Sequence, residues 1–323
     1  MKVQFIILLS LIGYFTVSCD KVDNPFPPSI NTDLDTTIYP GNWSDYLANE
    51  WPDFSTLPNE DPNRNAIIED FTGHNCSACP AAAAVAHSIH EGNPSRVFIA
   101  SVHASNTADG TSSFQDVNTS QGYTIDFTNP QGLALGAYFG ITLSNSGFFG
   151  NPAGTINRVP DNGEYFSADG TWLSKTNAVL SSSPKVAIKA KLNYFETPKH
   201  GFFLHTEVEK LDNNLTNDLA MVVYLIEDSV VGPQNVSNVL TPNYVHRDVM
   251  RGTLDGTPWG RTLTSSLMNN GKYYLDYSYV LPNQLAPVGV SSTHNAENMH
   301  VLIYVYDKTT LEIYQVIKKK MIP

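Results

Sequence analysis

Cysteine is scarce in this 323-residue chain, which has three, too few for a fold held together by a disulfide framework. Charge is scarce as well: Asp, Glu, Lys and Arg together make up 15% of the residues. Cations are the rarer sign, with 19 Lys and Arg against 31 Asp and Glu. That balance argues against a nucleic-acid partner, whose binding depends on Lys and Arg neutralising phosphates. Aromatics are not scarce. They reach 11%, including 16 Tyr, which fits a β-rich exported protein. The length allows about two domains, each large enough to bury a core of its own.

The N-terminus carries an export signal. Residues 1–18 have one Lys and then an apolar stretch from Val3 to Val17, too short and too lightly flanked for a membrane-spanning helix. Thr16-Val17-Ser18-Cys19 resembles the lipobox of bacterial lipoproteins. That resemblance implies lipidation of Cys19 and a chain anchored to the outer membrane rather than crossing it. Plain secretory cleavage after Ser18 is the alternative. Residues 19–64 are rich in Pro, Asn, Asp, Ser and Thr and read as a tether and lead-in.

The other cysteines are three positions apart along the chain. Ala66-Ile67-Ile68-Glu69-Asp70-Phe71 reads as a short buried strand, followed by Thr72-Gly73-His74-Asn75-Cys76-Ser77-Ala78-Cys79-Pro80 and an Ala-rich segment. Pro80 falls where a helix would begin, a position that tolerates its missing N–H. Gly92-Asn93-Pro94 ends the helix, and Val97 to Val102 is a second apolar run. Strand, Cys-x-x-Cys at a helix start, helix, strand is a thioredoxin-like arrangement. It suits dithiol chemistry, because helix N–H groups and the positive end of the dipole favour a thiolate at Cys76. Cys79 is then placed to resolve a mixed disulfide.

The resemblance to thioredoxin extends further. Its Asp-Phe pair precedes the first Cys by the spacing of Asp70-Phe71 here, which makes Asp70 a candidate proton acceptor for Cys79. Its cis-proline loop has a counterpart in Gly150-Asn151-Pro152-Ala153-Gly154, which makes Pro152 the cis candidate. His74-Asn75 stands where thioredoxins carry Trp. Two other readings of the pair remain open: a structural disulfide, and half of a metal site with His74, His87 or His90. No metal and no cofactor beyond a Cys76–Cys79 disulfide is expected. The redox reading further requires Cys76 to be exposed.

From about Ser181 the pattern alternates with period two, as in Lys185 to Leu192, and further strands are expected at 202–210, 219–227, 273–281, 299–306 and 312–318. The expected fold is an α/β thioredoxin-like domain at 65–182 and an all-β, immunoglobulin-like sandwich at 183–323, each with its own core. One long connection, 228–261, shows no obvious structure. Its His246, Arg247, Arg251 and Trp259 are candidates for a binding surface or for packing between the halves.

Taken together, the lipoprotein signal, the Thr-Gly-His-x-Cys-x-x-Cys-Pro segment, the Asn-Pro-x-Gly-x-Ile-Asn-Arg loop and the Tyr-Val-His-x-Asp-Val-x-Arg segment resemble the Omp28-related family of Gram-negative outer-membrane proteins. The family implies a lipid-anchored outer-membrane or surface protein and carries over Cys76, Cys79, His74 and Pro152. Two functions follow: thiol–disulfide exchange with exported proteins, or a non-enzymatic surface binding module in which the disulfide is a staple. Neither fixes an oligomeric state.

Overall fold

The computed structural model describes residues 34–58, 62–197, 199–281 and 295–322. The signal segment and Cys19 lie outside the described residues. In chain order, the first half holds α1 (Trp43–Asn49), β1 (Ala66–Thr72), α2 (Cys79–Gly92), β2 (Val97–His103), α3 (Pro130–Ala137), β3 (Ala153–Ile156) and α4 (Trp172–Leu180). The second half opens with β4 (Val186–Phe195), β5 (Gly201–Lys210), β6 (Leu219–Glu227), β7 (Val230–Val236) and β8 (Val239–His246). It continues with β9 (Val249–Thr253), β10 (Arg261–Thr262), β11 (Met268–Asn269), β12 (Lys272–Val280), β13 (Met299–Asp307) and β14 (Ile313–Lys320).

Local chemistry accounts for the helices that matter here. On α2, Cys79, Ala82, Ala86 and Ile89 are buried, a spacing that lays one stripe against the sheet. Asn129 caps α3 by accepting from the Gly132 N–H, and a π-helical turn over Tyr138–Thr142 extends it. A Cβ on Gly136 would lie 2.6 Å from the Ser105 carbonyl oxygen. Only glycine lets this helix press so closely on the segment that follows β2.

The largest sheet is eight-stranded, in the order β14-β13-β6-β9-β2-β1-β3, with β10 also paired to β6. Strands β1 and β2 are parallel and β1 and β3 antiparallel, the α2 crossover supplying the parallel connection. A second, four-stranded sheet runs β11-β12-β5-β4, and β7 and β8 form a separate hairpin.

This topology corrects the expectation of separate cores. Within β6, Ala220, Val222, Tyr224 and Ile226 join a cluster with Phe71, Phe98, Leu135 and Phe139 from the first half. The alternate residues Leu219, Met221, Val223 and Leu225 face Val186, Ile188, Leu204 and Leu275 of the four-stranded sheet. Strand β13 divides its side chains in the same way. A strand buried on both faces has no polar side to alternate, hence the continuous run Leu219-Ala220-Met221-Val222-Val223-Tyr224-Leu225-Ile226. The long connection is also corrected. It holds the β7–β8 hairpin and β9, and β9 inserts between β6 and β2.

A buried ion pair lies in the shared core. Arg158 and Glu69 are both fully buried, with Arg158 Nε and Nη2 each donating 2.7 Å bonds to the carboxylate. Nη2 also donates to the hydroxyls of Tyr224 on β6 and Tyr304 on β13 at 2.9 and 3.1 Å. Tyr224 in turn donates to Glu69 at 2.7 Å. Breaking such a pair leaves a charge in the core and costs about 3–5 kcal/mol. Arg158→Met should therefore lower the unfolding free energy by about that amount in urea titrations. The double variant Glu69→Leu/Arg158→Met should recover much of the loss, because an apolar pair of similar volume has no charge to desolvate.

Candidate dithiol site

Cys76 sits in the loop after β1, and Cys79 is the first residue of α2. They form a disulfide with a 5.4 Å Cα–Cα separation. The loop is held by its own backbone: Cys76 N–H donates to the Gly73 carbonyl at 3.1 Å, and Asn75 N–H to the Phe114 carbonyl at 3.0 Å. A Cβ on Gly73 would lie 2.6 Å from that same Phe114 oxygen, so glycine is needed for the approach. Pro80 occupies the first turn of α2.

The sulfurs are covered. Cys76 is 2% exposed and Cys79 1%, so the expectation of an exposed Cys76 is corrected. The cover is the β7–β8 hairpin, which belongs to the second half. Asn235 N–H donates to the His74 carbonyl at 2.7 Å and Ser237 N–H to the Ser77 carbonyl at 3.2 Å. The Gln234 side-chain amide donates to the carbonyls of Cys76 and Gly73 at 3.1 and 3.4 Å.

Behind Cys79 is a cavity of about 100 Å³ lined by Asp70, Cys79, His103, Gln234, Tyr244 and His246, among others. Both Asp70 carboxylate oxygens, both His103 ring nitrogens and His246 Nε2 are buried, with no hydrogen-bond partner among the described residues. The cavity is roomy and polar enough to hold water, which needs only about 10–15 Å³ of probe-occupied space and two or more polar partners. Burial, with a smaller contribution from Asp169, pushes the Asp70 carboxyl up to about 7. Burial drives His103 well below the usual imidazole range, helped by neighbouring His246, and lowers His246 to about 4. At neutral pH the imidazoles are therefore neutral, and the carboxyl is poised to give or take a proton.

The structure gathers some of the expected residues and separates others. Asp70, Cys79, His246 and Arg247 line this cavity. His74 supports the loop: burial lowers its pKa, and one ring nitrogen bonds the Asp116 carbonyl at 3.0 Å. The Asn151–Pro152 peptide is cis, and Pro152 lines a different groove with Phe149 and Phe166. The link back to Asp70 runs through the register, since Asp70 pairs with Gly154 across β1 and β3. Arg251 forms a buried ion pair with Glu227 at 3.3 Å, and Trp259 packs into the shared core beside Tyr138. Trp259 thereby touches the first half, whereas Arg251 and Glu227 both belong to the second. No sequence signal marks His103, Gln234 or Asn235: His103 ends an apolar strand like any capping polar residue, and no local spacing links 234–235 to the cysteines.

The family described as outer membrane protein Omp28 matches residues 142–323, more than half of the chain. This chain belongs to the Omp28 family. It is accordingly a member of an outer-membrane protein family, and no helix among its described residues is long and apolar enough to cross a membrane. The matched region includes Pro152 and the hairpin and starts after the dithiol loop. Among solved structures, HBP35 of Porphyromonas gingivalis aligns with TM-score 0.59 and 18% identity, covering 80% of this chain and 76% of that one. A domain of the outer membrane lipoprotein Omp28 from the same organism aligns at 24% identity and TM-score 0.29, covering 42% of this chain and 88% of that one. No curated protein matches the chain.

The raised Asp70 carboxyl makes a signed prediction. Its folded pKa lies above the unfolded value of 3.8, so its contribution to stability is complete below about 4 and is lost as pH rises through about 7. Asp70→Asn keeps the neutral form at every pH. Denaturant melts from pH 4 to 8 should show Asp70→Asn gaining on wild type across that window, by at most about 4 kcal/mol.

Proposed function

We propose that this protein is an outer-membrane lipoprotein, lipidated at Cys19, whose thioredoxin-like first half exchanges disulfides with exported proteins and whose second half is an immunoglobulin-like sandwich. The carrying observation is the Cys76–Cys79 disulfide at the start of the fourteen-residue helix α2, backed by a cavity that holds the unpartnered carboxyl of Asp70. The parallel β1-α2-β2 unit with an antiparallel β3 beyond the cis peptide supports the same reading.

In the oxidising direction, one thiolate of a substrate dithiol attacks Cys76 Sγ. A mixed disulfide forms, the Cys76–Cys79 bond breaks, and Cys79 leaves as a thiolate that takes its proton from Asp70 across the cavity. The second substrate thiolate attacks the substrate sulfur of the mixed disulfide and releases Cys76. Two electrons pass from substrate to protein, and the reverse sequence reduces a substrate disulfide. The helix N-terminus stabilises the Cys76 thiolate in either direction.

The burial of Cys76 favours a second reading, in which the disulfide is a staple within a surface binding module. The reduction potential separates the two: a value between about −120 and −270 mV marks an exchanging pair, and one below about −300 mV a structural bridge. Exchange further requires that Cys76→Ser abolish turnover of scrambled ribonuclease by the full mature chain, while Cys19→Ser, assayed in detergent, leaves turnover intact.

A further inference from the structure

The hairpin does more than shield the sulfurs; its tip hydrogen-bonds the dithiol loop. Its backbone donors come from Asn235 and Ser237, two residues apart, and reach the carbonyls of His74 and Ser77. Asn235 is near the end of β7 and Ser237, with φ 51°, is in the turn, so it is the tip of the hairpin that addresses the loop. Asn235 Nδ2 adds a contact to the Asn75 carbonyl at 3.4 Å. Gln234 adds side-chain bonds to the Gly73 and Cys76 carbonyls. Each carbonyl of Gly73–Ser77 named here is thus satisfied by the chain's own residues 234–237.

The hairpin is also built to come away. Its strands pair only with each other among the described residues, and an isolated two-stranded ribbon is marginally stable. Its outer face carries exposed Val231, Val239 and Val245. Beneath it, Gly232 rests on Phe127 and Ile125, where a Cβ would come within 2.7 and 2.8 Å. Both ends meet at one anchor, because Asp228 Oδ1 accepts from Arg247 Nε at 2.5 Å and from Asp248 N–H at 3.4 Å. Ser229 and Asp248 beside it have positive φ, 60° and 48°, so the hinge points are local and sharply turned.

We propose that the loop Gly73–Ser77 is a docking edge for a polypeptide loop, and that the β7–β8 hairpin is its internal occupant, closing the disulfide until it lifts or is displaced. The partner's chemistry follows from the acceptors. It is an unfolded or loop segment offering backbone N–H groups at alternate residues, with a thiol or disulfide near the one that faces Cys76. This rests on the exchange reading for its purpose, but not for its test.

The test reads access to sulfur. Reduction of the oxidised full mature chain by a trialkylphosphine is followed by thiol release, beside oxidised glutathione as a freely exposed disulfide. Wild type should react at least about tenfold more slowly than glutathione and level off at high phosphine, where hairpin opening limits the rate. The variant Gln234→Ala/Asn235→Pro removes the Gln234 amide and the backbone and side-chain donors of Asn235, and should react about tenfold or more faster than wild type. Excess synthetic peptide of sequence Gly-Pro-Gln-Asn-Val-Ser-Asn-Val, copying residues 232–239, should slow the variant again by filling the vacated edge. Wild-type reduction as fast as glutathione overturns the proposal whether or not the variant folds. A folded variant with an unchanged rate, or one the peptide does not slow, overturns it too. If access behaves as stated and ribonuclease turnover is absent, the exchange reading alone fails. If turnover is present and wild type reacts freely, the hairpin proposal alone fails.

Discussion

The charge of Arg158 is buried at the centre of this molecule, and the two halves of the chain are arranged to neutralise and hydrogen-bond it. Its carboxylate partner, Glu69, comes from β1 beside the dithiol loop, while the phenols of Tyr224 and Tyr304 come from the central strands of the second half. The rings of Phe139, Tyr304 and Tyr306 lie 5.4–5.9 Å from the guanidinium carbon. Burial disfavours the cation, and Glu69 and the phenols more than offset it, so the pKa stands well above the usual arginine value. A pair of this kind gives little net stability over an apolar substitute but penalises any arrangement that separates its members. It therefore fixes how β1 and β3 sit against β6 and β13.

The dithiol loop follows directly from β1, and the hairpin follows directly from β6. Locking those strands into one sheet brings the hairpin over the loop, so the closure of the sulfurs is a consequence of the shared core. Strand β9 completes the seam, with the Ser101 N–H donating to the Asp248 carbonyl at 2.8 Å and Ser101 Oγ to the Arg247 carbonyl at 2.9 Å. The second half thus contributes His246, Gln234 and Tyr244 to the cavity behind a disulfide that belongs to the first half.

Much of this is written locally in the sequence. The Cys-x-x-Cys before an Ala-rich helix, Asp70 on the preceding strand and the period-two strands from Val186 onward are short-range patterns, and short-range physics produces them. The run at Leu219–Ile226 is different. Eight successive apolar residues state that both faces of a strand are buried, but not that the second face is covered by the other half of the chain. The hairpin leaves little pattern in the sequence, because Gly232 and Pro233 interrupt β-like alternation and the residues of β8 are mostly exposed or half-buried. Arg158 was visible only as part of a motif, since an arginine is a surface residue by default and its burial depends on partners 66 and 146 positions further along.

The central claim is that the chain's own hairpin closes the dithiol edge and opens independently of the shared core. Hydrogen exchange at the amides of Asn235 and Ser237 measures that opening directly. Local opening predicts exchange at least about a hundredfold faster than at Val223 and Ile303 in the central strands, with little dependence on denaturant. Protection equal to those strands, with the same steep denaturant dependence, would mean that the hairpin leaves only when the whole protein unfolds, and would contradict the account.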